Sequence, residues 1–304
     1  MQEFNGSLTS PGVLAELFAN YSVVPLKKLG QNFLVDANIL AGIAKAAGLN
    51  KDSCCVEIGP GAGALTAELA RRAGKVLAVE VDRGLIPLLH FTLQAFDNVH
   101  IVHGDILKQD LRQLTREHFG DAAFAVAANL PYNITTPAIM MLLESGLPIT
   151  HMVLLMQREV GERLLARPGT KEYGALSIAV QYACEVQSLF TVSPNCFMPR
   201  PKVESVLIRL TRRECPAVDV SDRQAFFEIV RALFAMRRKT LLNNLLAYYP
   251  NEEKGVIQSA IEKSGIQSNA RAETLSLEEL ARLFAALPAK GRHSKGKINI
   301  YEKP

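Results

Sequence analysis

Cys54-Cys55-Val56-Glu57-Ile58-Gly59-Pro60-Gly61-Ala62-Gly63-Ala64 decides how the rest of the chain is read. Residues 54–58 are a mostly apolar run of the length of a buried strand. They pass directly into a glycine-rich turn that opens a helix over 65–73, closed by Gly74. Glycine at such a turn lets the backbone bend tightly and lets a ligand approach the main chain with no Cβ in the way. The same residues satisfy a GxGxG turn and the dinucleotide pattern G-x-G-x-x-A. Two cofactor classes therefore stay open, beside a merely tight strand-to-helix turn.

Downstream, strand and helix alternate: a strand over 75–81, a helix over 83–95, strands over 99–102 and 123–128, a helix over 137–144 and a strand over 152–156. Near-continuous apolar strands separated by helices predict a mostly parallel sheet covered on both faces, with ligands at the C-terminal strand ends. Two β-rich runs, 185–192 and 205–210, are expected to complete the sheet as a hairpin-like antiparallel edge. Upstream, the first thirty-five residues read as irregular, and Asp36 then caps a helix whose Ile39, Leu40 and Ile43 share a face. From Ser221 the period is helical, through Phe226, Val230 and Leu233 and then Leu241 and Leu245. Ser276 with Glu279 forms a capping box for a last helix reaching Leu287. The expected division is an N-terminal extension over 1–26, an α/β domain over 27–210, a small all-helical domain over 211–288 and a basic tail over 289–304.

Three strand ends carry ligand-type residues. Glu80, twenty-one positions beyond Gly59, stands where an acid of a doubly wound sheet accepts hydrogen bonds from ribose hydroxyls. Gly104-Asp105 brings a second carboxylate to the same sheet edge, an acceptor for an adenine amine. Asn129-Leu130-Pro131-Tyr132-Asn133-Ile134 ends the fourth strand. An exocyclic amine on a heteroaromatic ring is planar and a poor nucleophile, because its lone pair is delocalised. An Asn side-chain oxygen and a main-chain carbonyl, set side by side by a following proline, can accept its two N–H bonds and aim the lone pair. Tyr132 can stack on the base, which is worth ~1–3 kcal/mol. A plain Asn-Pro turn accounts for Asn and Pro but not for Tyr at that strand end.

The 304 residues are 48% hydrophobic and 21% charged, an ordinary globular balance for a large domain plus a small one. No apolar run approaches a membrane span, and the first thirty residues fit neither a secretory signal nor a transit peptide, so the cytoplasm is the expected address. Five cysteines without a CxxC argue against disulfides or a zinc ribbon. Six histidines show no ligand spacing, and no metal is expected. Hydrolase, NTPase and calcium-loop motifs are absent. Lys+Arg against Asp+Glu is 18 against 19 over 1–210, a net of −1, and 16 against 11 over 211–304, a net of +5. That asymmetry fits a polyanion held by the C-terminal part.

With these residues the chain resembles the ribosomal RNA adenine N6-dimethyltransferases, S-adenosylmethionine-dependent enzymes that modify two neighbouring adenines near the 3′ end of small-subunit rRNA. The resemblance runs from about Lys27 to about Leu287. It is carried by Lys28-Leu29-Gly30-Gln31-Asn32-Phe33-Leu34, the glycine turn, Glu80-Val81-Asp82, Gly104-Asp105, Asn129 to Ile134, Phe197-Met198-Pro199-Arg200-Pro201-Lys202-Val203-Glu204-Ser205 and Arg237-Arg238-Lys239-Thr240. It implies a Rossmann-like seven-stranded methyltransferase sheet. It further implies that Asn32 and Leu34 close over the cofactor, Gly59 and Gly61 approach its methionine part, Glu80 takes the ribose and Asp105 the adenine amine. Asn129 would bridge cofactor and target base, with Leu130, Pro131 and Tyr132 completing the catalytic set. Phe197 would stack on the target adenine or plug the fold. Lys202, Arg237, Arg238 and Lys239, with Arg209, Arg212 and Arg213, would meet the RNA backbone, and binding would be salt-dependent. The implied partner is small-subunit rRNA in its ribosomal precursor, approached by a monomer with no membrane involved, and the implied product is S-adenosylhomocysteine.

Ala128 departs from a glycine often seen in the family, and residues before Lys27 have no counterpart in the shared motifs. Two alternatives are the antibiotic-resistance methyltransferases of large-subunit rRNA and a non-catalytic ribosome-assembly factor. The former tend to carry isoleucine where Leu130 stands and lack the Arg-Arg-Lys-Thr run, and the intact Asn129 to Tyr132 set argues against the latter.

Overall fold

The computed structural model describes Phe4 and residues 6–289. The cations expected in the basic tail, Lys290, Arg292, Lys295, Lys297 and Lys303, lie outside the described residues. The described residues form two compact units, one within 1–161 and 185–212 and one within 162–184 and 213–304.

The first unit is built on β2 (Cys54–Ile58), buried along its whole length as a central strand must be when both sheet faces are covered. It pairs in parallel with β3 (Lys75–Glu80) on one side and β5 (Phe124–Asn129) on the other. β4 (Val99–His103) adds in parallel to β3, and β6 (Ile149–Gln157) to β5. β9 (Ser205–Arg212) runs antiparallel to β6, and β7 (Cys184–Val192) lies beyond it, so the seven-stranded order is β4-β3-β2-β5-β6-β9-β7. The chain builds outward from β2 in one direction and then returns to its other side, which makes the β2/β5 junction the topological switch point. A separate antiparallel pair, β1 (Phe33–Leu34) with β8 (Phe197–Met198), places Leu34 opposite Phe197.

Helices α2 (Ala37–Ala46) and α3 (Ala64–Ala70) cover one face, packing Leu40, Ile43, Leu65 and Leu69 on Val76, Ala125, Val153 and Leu155. Asp36 caps α2 as its sequence predicts, accepting from the N–H groups of Asn38 and Ile39. A 3-10 turn leads into α4 (Ile86–Thr92), α5 (Leu111–Phe119) precedes β5, and α6 (Thr135–Glu144) follows it.

The structure corrects the expected organisation in two places. The first thirty-five residues are not irregular: α1 (Pro11–Asn20) starts on a proline and buries Leu14, Leu17 and Phe18, and the 1–26 segment belongs to the first unit. The 27–210 and 211–288 division also fails, because residues 162–184, with the end of α7 (Arg158–Leu165) and all of α8 (Ala175–Ala183), pack with the C-terminal helices. The reason is visible in the aromatic contacts: Tyr182 of α8 packs on Phe226 and Phe227 of α9 (Arg223–Ala235), and the Tyr173 hydroxyl donates to the Leu275 carbonyl at 3.0 Å. The runs 185–192 and 205–210 stand side by side at the sheet edge as expected, as β7 and β9, with β8 and its pairing to β1 inserted between them along the chain. The second unit is completed by α10 (Leu241–Tyr248), α11 (Lys254–Lys263) and α12 (Leu277–Ala286) with its capping box. Among the described residues no helix is long and apolar enough to cross a membrane.

Candidate active site

A cavity of about 220 Å³ opens in the first unit at the C-terminal ends of β2, β3, β4 and β5. Its lining includes Asn32, Leu34, Gly59, Gly61, Glu80 and Asp105, and also Asn129, Leu130, Pro131, Tyr132 and Phe197. The folded chain thus brings together every residue expected at the cofactor and every residue expected at the reacting amine, from segments up to 165 positions apart, 197 − 32.

The turn after β2 holds Gly59 at φ 71° and Gly61 at φ 61°, left-handed values that favour glycine. A Cβ on Gly59 would meet only Pro131 Cδ, at 4.0 Å, and so would stand in the cavity. One on Gly61 would press on the Phe33 ring at 3.1 Å. The Gly61 N–H donates to Glu80 Oε2 at 3.1 Å, and the Asp82 N–H to Glu80 Oε1 at 2.8 Å. Glu80 is 3% exposed, and burial pushes its carboxyl up to about 7 against the opposing pull of these two amides. Each of its oxygens keeps a lone pair for a further donor. Val81 beside it lines the cavity and is 41% exposed, an apolar wall facing open space.

One residue that the sequence reading left without a role is Glu57. It sits one residue before the end of β2 at 1% exposure, and burial pushes its carboxyl up to about 8 against the opposing pull of the nearby Thr66 hydroxyl, with the Glu80 charge adding to the shift. Its Oε2 and the buried Thr66 Oγ1 lack partners among the described residues. An acid inside an apolar strand was the available signal.

Asn129 ends β5. Its Nδ2 donates to the Asn32 carbonyl at 2.9 Å, which fixes the side-chain amide and leaves Oδ1 as the acceptor. The Leu130 N–H donates to Leu155 O at 2.9 Å, continuing the ladder with β6. The Pro131 carbonyl accepts from Thr135 Oγ1 at 3.0 Å and from the Ile134 N–H at 3.1 Å, so the turn is tied to α6. Asn32 Nδ2 donates back to Gly30 O at 2.9 Å, and Gln31 joins the Leu26 N–H to Asp82 with two bonds of 2.7 Å. Phe197, 5% exposed, belongs to the core cluster around α2 while its surface lines the cavity.

None of the cations expected at RNA is among the residues that line the cavity. Lys202 is exposed in the first unit, ahead of β9; Arg237, Arg238 and Lys239 occupy the exposed turn between α9 and α10 in the second. Arg237 pairs with Glu273 at 3.1 Å and donates to the Lys171 carbonyl at 2.8 Å, so it also fastens the second unit. Arg209, Arg212 and Arg213 donate to the carbonyls of Ala46, Leu143 and Gln181. Among the described residues no group of three or more His, Cys, Asp or Glu side chains could hold a metal ion.

Residues 26–288 match the model of the family described as ribosomal RNA adenine dimethylase. The ribosomal RNA small subunit methyltransferase A of Geobacillus thermodenitrificans is 52% identical over 283 residues, 92% of this chain and 97% of that one. The protein of the same name from Bacillus licheniformis is 47% identical over 282 residues, 92% of this chain and 97% of that one. Among solved structures, a dimethyladenosine transferase from Plasmodium falciparum is similar at a TM-score of 0.69 and 26% identity, covering 82% of this chain and 95% of that one. The 23S rRNA methyltransferase ErmE is similar at 0.65 and 28% identity, covering 84% and 99%. The match takes in the whole seven-stranded sheet, the cavity motifs from Asn32 to Phe197 and the helices that follow, and the chain belongs to the ribosomal RNA adenine dimethylase family.

Proposed function

We propose that the chain transfers methyl groups from S-adenosylmethionine to N6 of two adjacent adenines in a loop near the 3′ end of small-subunit (16S) rRNA. The product is N6,N6-dimethyladenosine and the setting is small-subunit biogenesis. The observation that carries this is Asn129: its amide nitrogen donates to the Asn32 carbonyl, which orients the side chain and leaves Oδ1 free as an acceptor, and the residue lines the cavity beside the glycine turn. When bound, S-adenosylmethionine supplies a sulfonium methyl that a nitrogen lone pair can displace in line. The residues present fit that group. Gly59 leaves Cβ space open to the cavity, Glu80 offers carboxylate lone pairs to ribose hydroxyls, Asp105 stands at the adenine end, and exposed apolar Val81 gives a ring something to lie on. Asn32 and Leu34 close the opposite side.

Asn129 Oδ1 and the Leu130 carbonyl accept the two N–H bonds of the target amine, Pro131 after them fixes the turn, and Tyr132 stacks on the base, so catalysis is mostly positioning. Phe197 packs toward the same base. These residues only position the amine: S-adenosylhomocysteine is the leaving group, and the proton that the amine sheds as it is methylated passes to water. The adenine must leave its stack to reach Asn129, which favours a loop over a perfect helix. Lys202, Arg237, Arg238 and Lys239 hold the RNA backbone, and the enzyme acts as a monomer on the small-subunit precursor in the cytoplasm. The large-subunit alternative is not favoured: the relatives at 52% and 47% identity are named for the small subunit, against 28% for ErmE.

The test is incubation with labelled S-adenosylmethionine and small subunits lacking the modification, followed by nucleoside analysis. Dimethyladenosine in small-subunit rRNA is expected, with a loss of roughly 10²-fold or more in Asn129→Ala. Cofactor binding with no transfer to any rRNA would overturn the proposal in favour of an RNA-binding assembly factor.

A further inference from the structure

The segment ahead of residue 26 lies outside the family match, yet it reaches the cavity. Leu8 and Leu14, 8% and 1% exposed, are part of the cavity lining. Leu14, Leu17 and Phe18 on one face of α1 bury against Phe33, Ala62, Leu85 and Leu88. Phe18 meets Phe33 edge to face at 4.8 Å between ring centroids, and Phe33 in turn lies against the Cβ position of Gly61. Phe33 directly follows Asn32, whose carbonyl holds Asn129. The segment is anchored at both ends, since Phe4 and Tyr21 both pack on Phe91 of α4, and Gln31 clasps Leu26 to Asp82.

We propose that α1 is a cofactor-retaining brace: Leu8 and Leu14 form a wall of the cofactor cavity, and Phe18, acting through Phe33, presses residues 32–34 onto the glycine turn. Leu8 and Leu14 then contribute apolar surface to the bound cofactor, while Phe18 is a positioning residue that touches none of it. This rests on the cavity being an S-adenosylmethionine site.

Titration calorimetry with S-adenosylhomocysteine tests the brace without turnover. Leu14→Ala is expected to raise the dissociation constant roughly tenfold, and Leu14→Met, which refills the wall, to restore it. Phe18→Ala is expected to raise it by a similar factor. In turnover, both alanine variants should raise the cofactor KM by a larger factor than they lower kcat and leave the KM for small subunits within about twofold, whereas partial unfolding would lower kcat at constant KM. If an alanine variant does not fold, Leu8→Ala, in the stretch ahead of the helix, carries the same test. Wild-type affinity in Leu8→Ala, Leu14→Ala and Phe18→Ala would overturn the brace and leave the proposed function standing. A wild-type protein that binds no S-adenosylhomocysteine would overturn the site itself.

Discussion

Glu80 is held by two amides and desolvated by its own burial, and the second effect prevails, so its carboxyl titrates at about 7. Ribose hydroxyls are donors and need the ionised form. The dissociation constant for S-adenosylhomocysteine should therefore rise as pH falls through 7, approaching about tenfold per pH unit, and calorimetry across pH 5.5–8.5 checks it. Glu80→Gln should bind weakly with no such slope. Glu57 has a stability consequence of its own. Folding raises its carboxyl from an ordinary 4.5 to about 8, so the native state holds a proton that the unfolded chain releases. Its contribution is complete below pH 4.5 and is lost as pH rises through 8. Glu57→Gln, which cannot ionise, should then keep stability at pH 9 that the wild type loses, on the order of 1–3 kcal/mol by urea unfolding.

At the scale of elements, the turn from α3 to β3 leaves no room for a side chain. A Cβ on Gly74 would run into the carbonyl oxygen of Lys51, a backbone atom that cannot swing aside. Gly74→Ala should cost roughly 1–3 kcal/mol in urea unfolding while the cavity residues stay in place. Asp36 was legible as a cap and the β2 to α3 turn as a turn, because each is a local event set by a few adjacent residues, whereas Gly74 is not the helix stop it reads as, since α3 ends at Ala70. The strand ends at Glu80, Asp105 and Asn129 were legible too, since a parallel sheet collects them at one edge by topology alone. Helix α1 was not: Pro11 and Gly12 read as breakers, although proline in the first turn starts a helix as readily as it stops one. α5 was missed because Thr115 supplies part of its buried face, and α8 because an apolar run such as Ile178-Ala179-Val180 suits strand and helix alike. The bond from Asn129 to the Asn32 carbonyl joins residues 97 positions apart and had no signal in either segment.

For the molecule as a whole, charge and chemistry are divided along the chain: the cavity lies in a first unit, and the net of +5 lies in residues 211–304. Arg238→Ala and Lys239→Ala should each weaken small-subunit binding and lower the magnitude of the log–log salt slope by about 0.7–0.9, with S-adenosylhomocysteine affinity unchanged, as filter binding at several salt concentrations would show. Arg237→Ala should in addition lower thermal stability, because it removes the tie to Glu273 and Lys171. The sheet order also bears on how a nascent chain is built. β6 is finished at residue 157, but the strand that belongs beside it ends only at 212, after β7 has been made. At ~5–20 residues per second, the 55 intervening residues (212 − 157) take roughly 3–11 s to synthesise, during which one side of β6 is an open template. Residues 162–184 emerge in the same interval and must wait for residues beyond 213 to complete their own unit. Neither unit can finish folding before residue 212 has been translated, and a ribosome stalled between 157 and 205 would display a sheet with a vacant edge to whatever strand is nearby.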